Sequence, residues 1–191
     1  MCYIKKGIKR LICQIYRLLR NYTCTFCAEK FGDFLHNSKG GLGMIAIGAD
    51  HGGYRLKEEI KKYFEENSIE YEDYGTYSEE RTDYPIYAKK VAEAMVNGSA
   101  DKGILICRSG YGMTVVANKF KGVRAASVTS VAYAKAAKAD DDINLLTLSG
   151  DNTTIKEAIE MINAWLETEF KGGRYKERLD MLEKIENENM K

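Results

Sequence analysis

The chain has 191 residues, 45% of them hydrophobic and 30% charged, with one proline, seventeen glycines and a net charge of +1. That length and apolar fraction suit one well-buried domain with a short appendage, and the absence of low-complexity tracts excludes disorder except at the two ends. The charge is uneven, net +6 over residues 1–43 and −5 over the rest, so the body lacks the basic footprint that nucleic-acid binding requires.

Residues 1–43 read as a basic extension unlike the remainder. The stretch "MCYIKKGIKRLICQIYRLLRNY" has the pattern of a basic amphipathic helix, which would suit a membrane surface or an organellar address. It holds no apolar run of the roughly 18 residues that crossing a bilayer takes, and no uninterrupted core of a secretory signal. Four of the five cysteines fall here, including the pair in "CTFC" (24–27) near His36. A zinc site usually needs four ligands, and a redox CxxC normally opens a helix after a strand, so neither is favoured. "SKGGLGM" is also what translation of a purine-rich ribosome-binding site would give, so the native start is expected at Met44. The body then keeps the single thiol Cys107, which fits a reducing cytoplasm.

From Met44 short apolar runs alternate with amphipathic segments, the sign of strand–helix units around a parallel sheet. A strand at 44–49 precedes a helix near 53–67, where Leu56, Ile60, Tyr63 and Phe64 recur at helical spacing. A strand at 71–75 leads through a polar loop to a helix near 84–97 whose Tyr84, Ala88, Val91 and Met95 share a face. Next come a strand at 103–107, a short helix from about Gly112, a strand at 123–128 and a helix near 130–139. The last strand, 143–149, precedes a helix near 153–167 and a charged helix near 173–188. Continuous apolar strands such as "ILIC" suit a sheet covered on both faces, so the expected fold is α/β, doubly wound and five-stranded, with ligands collecting beyond the carboxyl ends of the strands.

Three of those ends are chemically rich: "ADHGG", "GTYSEERTDYP" and "CRSGYGM". In the last, backbone N–H groups of a glycine-containing turn at a helix start form a donor site for a phosphate or a developing oxyanion. Cys107 beside Arg108 is a candidate base or nucleophile, and the motif alone leaves an inert buried thiol equally open. Asp50 and His51 stand at the mouth of the first strand, where His51 could bind phosphate or shuttle protons, or the pair could be an N-cap Asp with an incidental histidine. Arg174 and Arg178, four apart, share a helix face, as a phosphate clamp or merely a solvated surface would. The tyrosine-rich loop is interleaved with acids, which argues against base stacking.

Read together, "IAIGADHGGYRLKEEI", "DYGTYSEERTDYP", "DKGILICRSGYGMTVVANKFKGVRAA" and "WLETEFKGGRYKERLDMLEKIE" resemble the type B ribose-5-phosphate isomerases, the family that includes the galactose-6-phosphate isomerase subunits. The resemblance covers about residues 44–186. It implies a Rossmann-like isomerase domain over 44–191 that moves a proton between C1 and C2 of an open-chain sugar phosphate through an enediolate, with no metal or organic cofactor. It further implies Cys107 as base, Ser109 assisting proton transfer among substrate oxygens, and the Gly110–Gly112 turn with Met113 holding the enediolate. Asp50 would hold a sugar hydroxyl, and His51, Arg174 and Arg178 the phosphate. The site would lie between the subunits of a homodimer, with the C-terminal helix reaching the partner.

Four positions depart from the family pattern. Asp140 and Asp141 in "DDDIN" stand where a ring-opening histidine and an asparagine are usual, Asp151 replaces an arginine, and Arg108 replaces a glycine after the cysteine. Asp140 is expected to take over ring opening, Asp141 to line the site, and Arg108 to supply the missing phosphate charge. Ribose 5-phosphate leads as substrate, with allose 6-phosphate, galactose 6-phosphate or a tetrulose phosphate as alternatives. The rival classes are thiol redox or acyl-transfer chemistry, for which the body lacks a resolving cysteine and a His/Asn pair, and a non-catalytic sugar-phosphate sensor.

Overall fold

A computed structural model describes residues 43–190, and the expectations placed on residues 1–42 lie outside them. The elements follow in the order β1 (Ile45–Ala49), α1 (Tyr54–Glu66), β2 (Tyr71–Asp73), α2 (Tyr84–Val96), β3 (Lys102–Cys107) and α3 (Tyr111–Ala117). There follow β4 (Ala125–Ser127), α4 (Val131–Asp141), β5 (Leu145–Ser149), α5 (Ile155–Glu167) and α6 (Arg174–Asn189). All strand pairs are parallel, in the order β2-β1-β3-β5-β4.

The two-residue period of the strands sorts their side chains into two cores. Ile45, Ile47, Ile104, Ile106, Leu146 and Leu148 point to the face covered by α1, α4 and α5, where Phe64 and the fully buried Trp165 sit. Ala46, Leu105, Cys107 and Leu145 point to the other face, under α2 and α3. Each fully buried aliphatic or aromatic side chain contributes about 1.5–3 kcal/mol, so these two layers fix the doubly wound arrangement. α1 buries Leu56, Ile60 and Phe64 as its spacing predicts, and α5 begins at a reciprocal Thr154–Glu157 capping box.

Two expectations shift. β2 stops at Asp73 because Asp73 Oδ1 accepts the Gly75 N–H at 2.9 Å and Gly75 takes a φ of +91°, turning the chain out of the strand. α2 buries Ala88, Val91, Ala92 and Ala94 and leaves Tyr84 at its exposed N-terminal end, where the ring lies against the first turn of α3.

Candidate active site

β1 and β3 are neighbours, but α1 carries the chain out to β2 on one side and α3 leads towards β4 on the other. Their carboxyl ends therefore flank the crevice where open α/β sheets bind ligands. Asp50 and His51 leave the end of β1, and Cys107 is the last residue of β3.

Cys107 is 5% exposed and a free thiol, and its Sγ accepts the Gly110 N–H at 3.2 Å. Gly110 makes this possible by taking φ +81°, where a side chain is strained, and a Cβ there would stand 3.1 Å from the Leu148 carbonyl oxygen. The turn is braced from below, because the Thr114 hydroxyl lies 3.1 Å from the Gly110 carbonyl and 2.6 Å from the Thr147 hydroxyl. Ser109 is exposed beside the sulfur, and Gly112 opens the first turn of α3. The Met113 side chain is fully buried in the core, so only its backbone can face a ligand.

Asp50 is 6% exposed and accepts the N–H groups of Gly52 at 2.9 Å and Gly53 at 3.2 Å. Burial pushes its carboxyl above the usual range, against the pull of those two hydrogen bonds and of nearby His51 and Arg108. A carboxyl whose folded value is raised costs the fold stability as pH rises from the ordinary carboxylate range through that raised value. His51 Nδ1 lies 2.9 Å from the Thr82 carbonyl oxygen and 3.3 Å from the Thr82 nitrogen. The carbonyl contact needs the proton on Nδ1, whereas the Thr82 N–H can be accepted only by a bare Nδ1; either way Nδ1 is the nitrogen held by Thr82 and Nε2 the one open to a ligand.

Arg108 follows the cysteine and is largely exposed. Its stem lies over Gly52, where a Cβ would come within 2.5 Å of Arg108 Cγ, and its Nη1 reaches Asp151 Oδ2 at 3.4 Å. The Arg108 carbonyl accepts the Ser149 hydroxyl at 2.6 Å and the Asp151 N–H at 3.2 Å, so the ends of β3 and β5 hold the guanidinium and the carboxylate together.

The remaining expected residues are elsewhere on the same chain. Asp140 and Asp141 close α4, which runs back about 16 Å, at 1.5 Å per residue, from the carboxyl ends of the strands to their amino ends. Asp140 Oδ1 pairs there with Lys171 Nζ at 2.5 Å. Arg174 and Arg178 begin α6 at that same end, with guanidiniums 5.0 and 5.4 Å from the centre of the Tyr175 ring. Arg174 Nη2 also donates to the Tyr175 hydroxyl at 3.1 Å and holds that phenol below its usual range. A cleft of about 500 Å³ there is lined by Arg124, Ala126, Asp141, Arg178, Leu182 and Ile185. One chain thus brings Asp50, His51, Cys107, Arg108, Ser109, Gly110 and Gly112 together, and does not bring Asp140, Asp141, Arg174 or Arg178 to them.

Thr82 and the Thr114–Thr147 pair were not singled out by the sequence reading. Thr82 lies within the quoted "GTYSEERTDYP", which was the available signal, whereas nothing local marks a threonine hydroxyl under a turn. Among the described residues no three His, Cys, Asp or Glu side chains converge as a metal site would need, and no helix is long and apolar enough to cross a membrane.

A family model described as Ribose/Galactose Isomerase matches residues 45–182. Ribose-5-phosphate isomerase B of Escherichia coli K12 is 40% identical over 142 residues, covering 74% of this chain and 95% of that protein. The crystal structure of a ribose 5-phosphate isomerase from Thermotoga maritima superposes with a TM-score of 0.73 at 40% identity, over 74% of this chain and 98% of that one. The enzyme from Mycoplasma genitalium, solved with bound ribulose-5-phosphate, gives a TM-score of 0.72 at 37% identity, over 76% and 97%.

Proposed function

The chain belongs to the ribose/galactose isomerase family and is a sugar-phosphate aldose–ketose isomerase, and from that premise we propose that it converts ribose 5-phosphate to ribulose 5-phosphate with Cys107 as the base. The Escherichia coli relative and the Thermotoga maritima structure, matched over 95% and 98% of their own lengths, carry that substrate in their names. The observation that carries the mechanism is the Cys107 sulfur at the switch point with the Gly110 N–H 3.2 Å away. A proton on carbon next to a carbonyl is too weakly acidic for a thiolate unless the enediolate is stabilised as it forms, so base and donors have to adjoin.

In this scheme the Cys107 thiolate takes the proton from C2 of the open-chain aldose, and the electrons move onto the carbonyl oxygen. Backbone donors of the Gly110–Gly112 turn hold the resulting enediolate. The Ser109 hydroxyl moves a proton from O2 to O1, and Cys107 returns its proton to C1, so no atom is gained or lost. Asp50 fixes a sugar hydroxyl, and Arg108 with His51 attracts the phosphate. Ring opening by Asp140, the lining role of Asp141 and the clamp of Arg174 and Arg178 require a second copy, because these residues sit at the far end of the sheet from Cys107. A homodimer with α6 reaching the partner meets that requirement, and Met181, Leu182 and Ile185 on α6 offer exposed apolar surface to it. A base that must remain a free thiol also belongs in a reducing cytoplasm.

The test is incubation in deuterated water with ribose 5-phosphate, allose 6-phosphate, galactose 6-phosphate and a tetrulose phosphate. Deuterium is expected to enter at C2 of the aldoses and C1 of the ketose, fastest for ribose 5-phosphate, and to vanish in Cys107→Ala. Persistent exchange in that variant removes the thiol from the mechanism. Another sugar exchanging faster replaces the substrate, and sugar-phosphate binding with no exchange at all makes the protein a sensor.

A further inference from the structure

Lys57 lies on α1 with no exposed surface, although nothing in the mechanism above uses it. Its ammonium is 2.7 Å from both carboxylate oxygens of Asp73 and 3.0 Å from Glu58 Oε1, with the Tyr77 ring 5.3 Å away. Lys61 meets the same Asp73 carboxylate at 2.6 Å. A lysine is almost never fully buried, and an apolar side chain of similar volume is often as stabilising as a buried ion pair. The pair therefore calls for a role in specifying geometry.

Its location supplies one. Asp73 ends β2 and launches the segment that returns to the active site. Its Oδ1 accepts the Gly75 N–H, and its carbonyl accepts the Tyr77 hydroxyl at 3.0 Å. The Gly75 carbonyl then accepts the Ala49 N–H at 2.7 Å, and the Thr76 N–H donates to the Ala49 carbonyl at 2.7 Å, which stitches the segment to the end of β1 immediately before Asp50. Arg55 binds Glu79 through two hydrogen bonds, and the segment closes at Thr82, whose carbonyl oxygen lies 2.9 Å from His51 Nδ1. Both ends of the loop are thus anchored on residues 51–57, by His51 at one and Lys57 at the other.

We propose that Lys57 and Asp73 are a positioning pair for His51. They set the path of residues 74–82 so that the Thr82 carbonyl meets Nδ1 and fixes the ring with Nε2 open to the phosphate. The effect on substrate rests on the proposed function; the effect on the ring does not.

The chain has two histidines, His36 and His51, so long-range proton–nitrogen NMR of the full chain resolves both rings, with His51→Asn identifying the signals. Wild type is expected to show His51 as a single tautomer held at Nδ1 by Thr82. Lys57→Met, and the nearly isosteric Asp73→Asn should the first fail to fold, are each expected to give a tautomer mixture. Each is also expected to raise KM for ribose 5-phosphate about tenfold, within the range transmitted by residues that do not touch the ligand, with kcat changed less than about twofold. In a His51→Asn background Lys57→Met should raise KM no further. Unchanged His51 signals in either folded variant, or a Lys57→Met effect that multiplies fully with that of His51→Asn, overturns the proposal. If wild type isomerises no sugar phosphate, the functional reading fails, while the ring signals still decide the positioning.

Discussion

Arg108 shows how far one residue's setting decides its use. A guanidinium next to the Cys107 thiol is held by Asp151 at 3.4 Å with both side chains largely in water, and such a pair is worth only about 0–1 kcal/mol. It can therefore leave its carboxylate for a phosphate at little cost. Arg108→Ala is expected to raise KM for ribose 5-phosphate about tenfold, the loss of one or two charge-assisted hydrogen bonds, and to leave kcat nearly unchanged. Asp151→Asn is expected to lower KM by freeing the guanidinium. Steady-state kinetics of the two variants check this, and an unchanged KM in Arg108→Ala removes Arg108 from phosphate binding. The adjacency of Arg108 to Cys107 was legible in the sequence. Its partnership with Asp151, 43 positions away, depends on β3 pairing with β5.

At the level of elements, the Lys57–Asp73 contact joins α1 to the end of β2 and sets an acid limit on stability. Burial pushes the Asp73 carboxyl up, but hydrogen bonds from Lys57, Lys61 and the Gly75 N–H outweigh it and hold the group below its ordinary value. A carboxylate with a lowered folded pKa stabilises fully above its unfolded pKa of about 3.9 and loses that contribution as pH falls below it. Asp73→Asn is therefore expected to cost about 3 kcal/mol at pH 7, as breaking a buried pair does, and to flatten the fall in stability below about pH 4. Fluorescence of Trp165, the single tryptophan and fully buried, follows unfolding at each pH. An acid limb as steep as that of wild type would assign it to other carboxylates. The helices themselves were readable from spacing, as Leu56, Ile60 and Phe64 illustrate. Lys57 was not, because a lysine in the pattern "LKEEIKKYF" looks like part of the wet face until its partner on another element is known.

For the whole molecule, the expected site divides between the two ends of the sheet. Cys107 and its neighbours lie at the strands' carboxyl ends, and Asp140, Arg174 and Arg178 at their amino ends, so under the proposed function a complete site would take two copies in an isologous arrangement. Cys107→Ala and an Arg174→Ala/Arg178→Ala variant are each expected to lose nearly all activity alone. Co-expressed, they should regain about a quarter of the wild-type level, because random pairing gives half the dimers one intact site of two. Differential tags on the two variants allow the mixed species to be purified and assayed. No recovery in a purified mixed dimer would place all these residues' roles within one chain.

The strand–helix alternation, the helix faces, the turn after Cys107 and the family are all legible in the residues, because periodicity, capping and turn chemistry act between positions a few apart. That β3 lies between β1 and β5, that Arg108 rests on Gly52 and faces Asp151, and that Lys57 is buried against Asp73 emerges from the fold. The fold alone separated Asp140 and the two arginines from the thiol. Each of these depends on which distant segments pack together, and that choice is made by the summed burial of two core layers and leaves no local pattern to read.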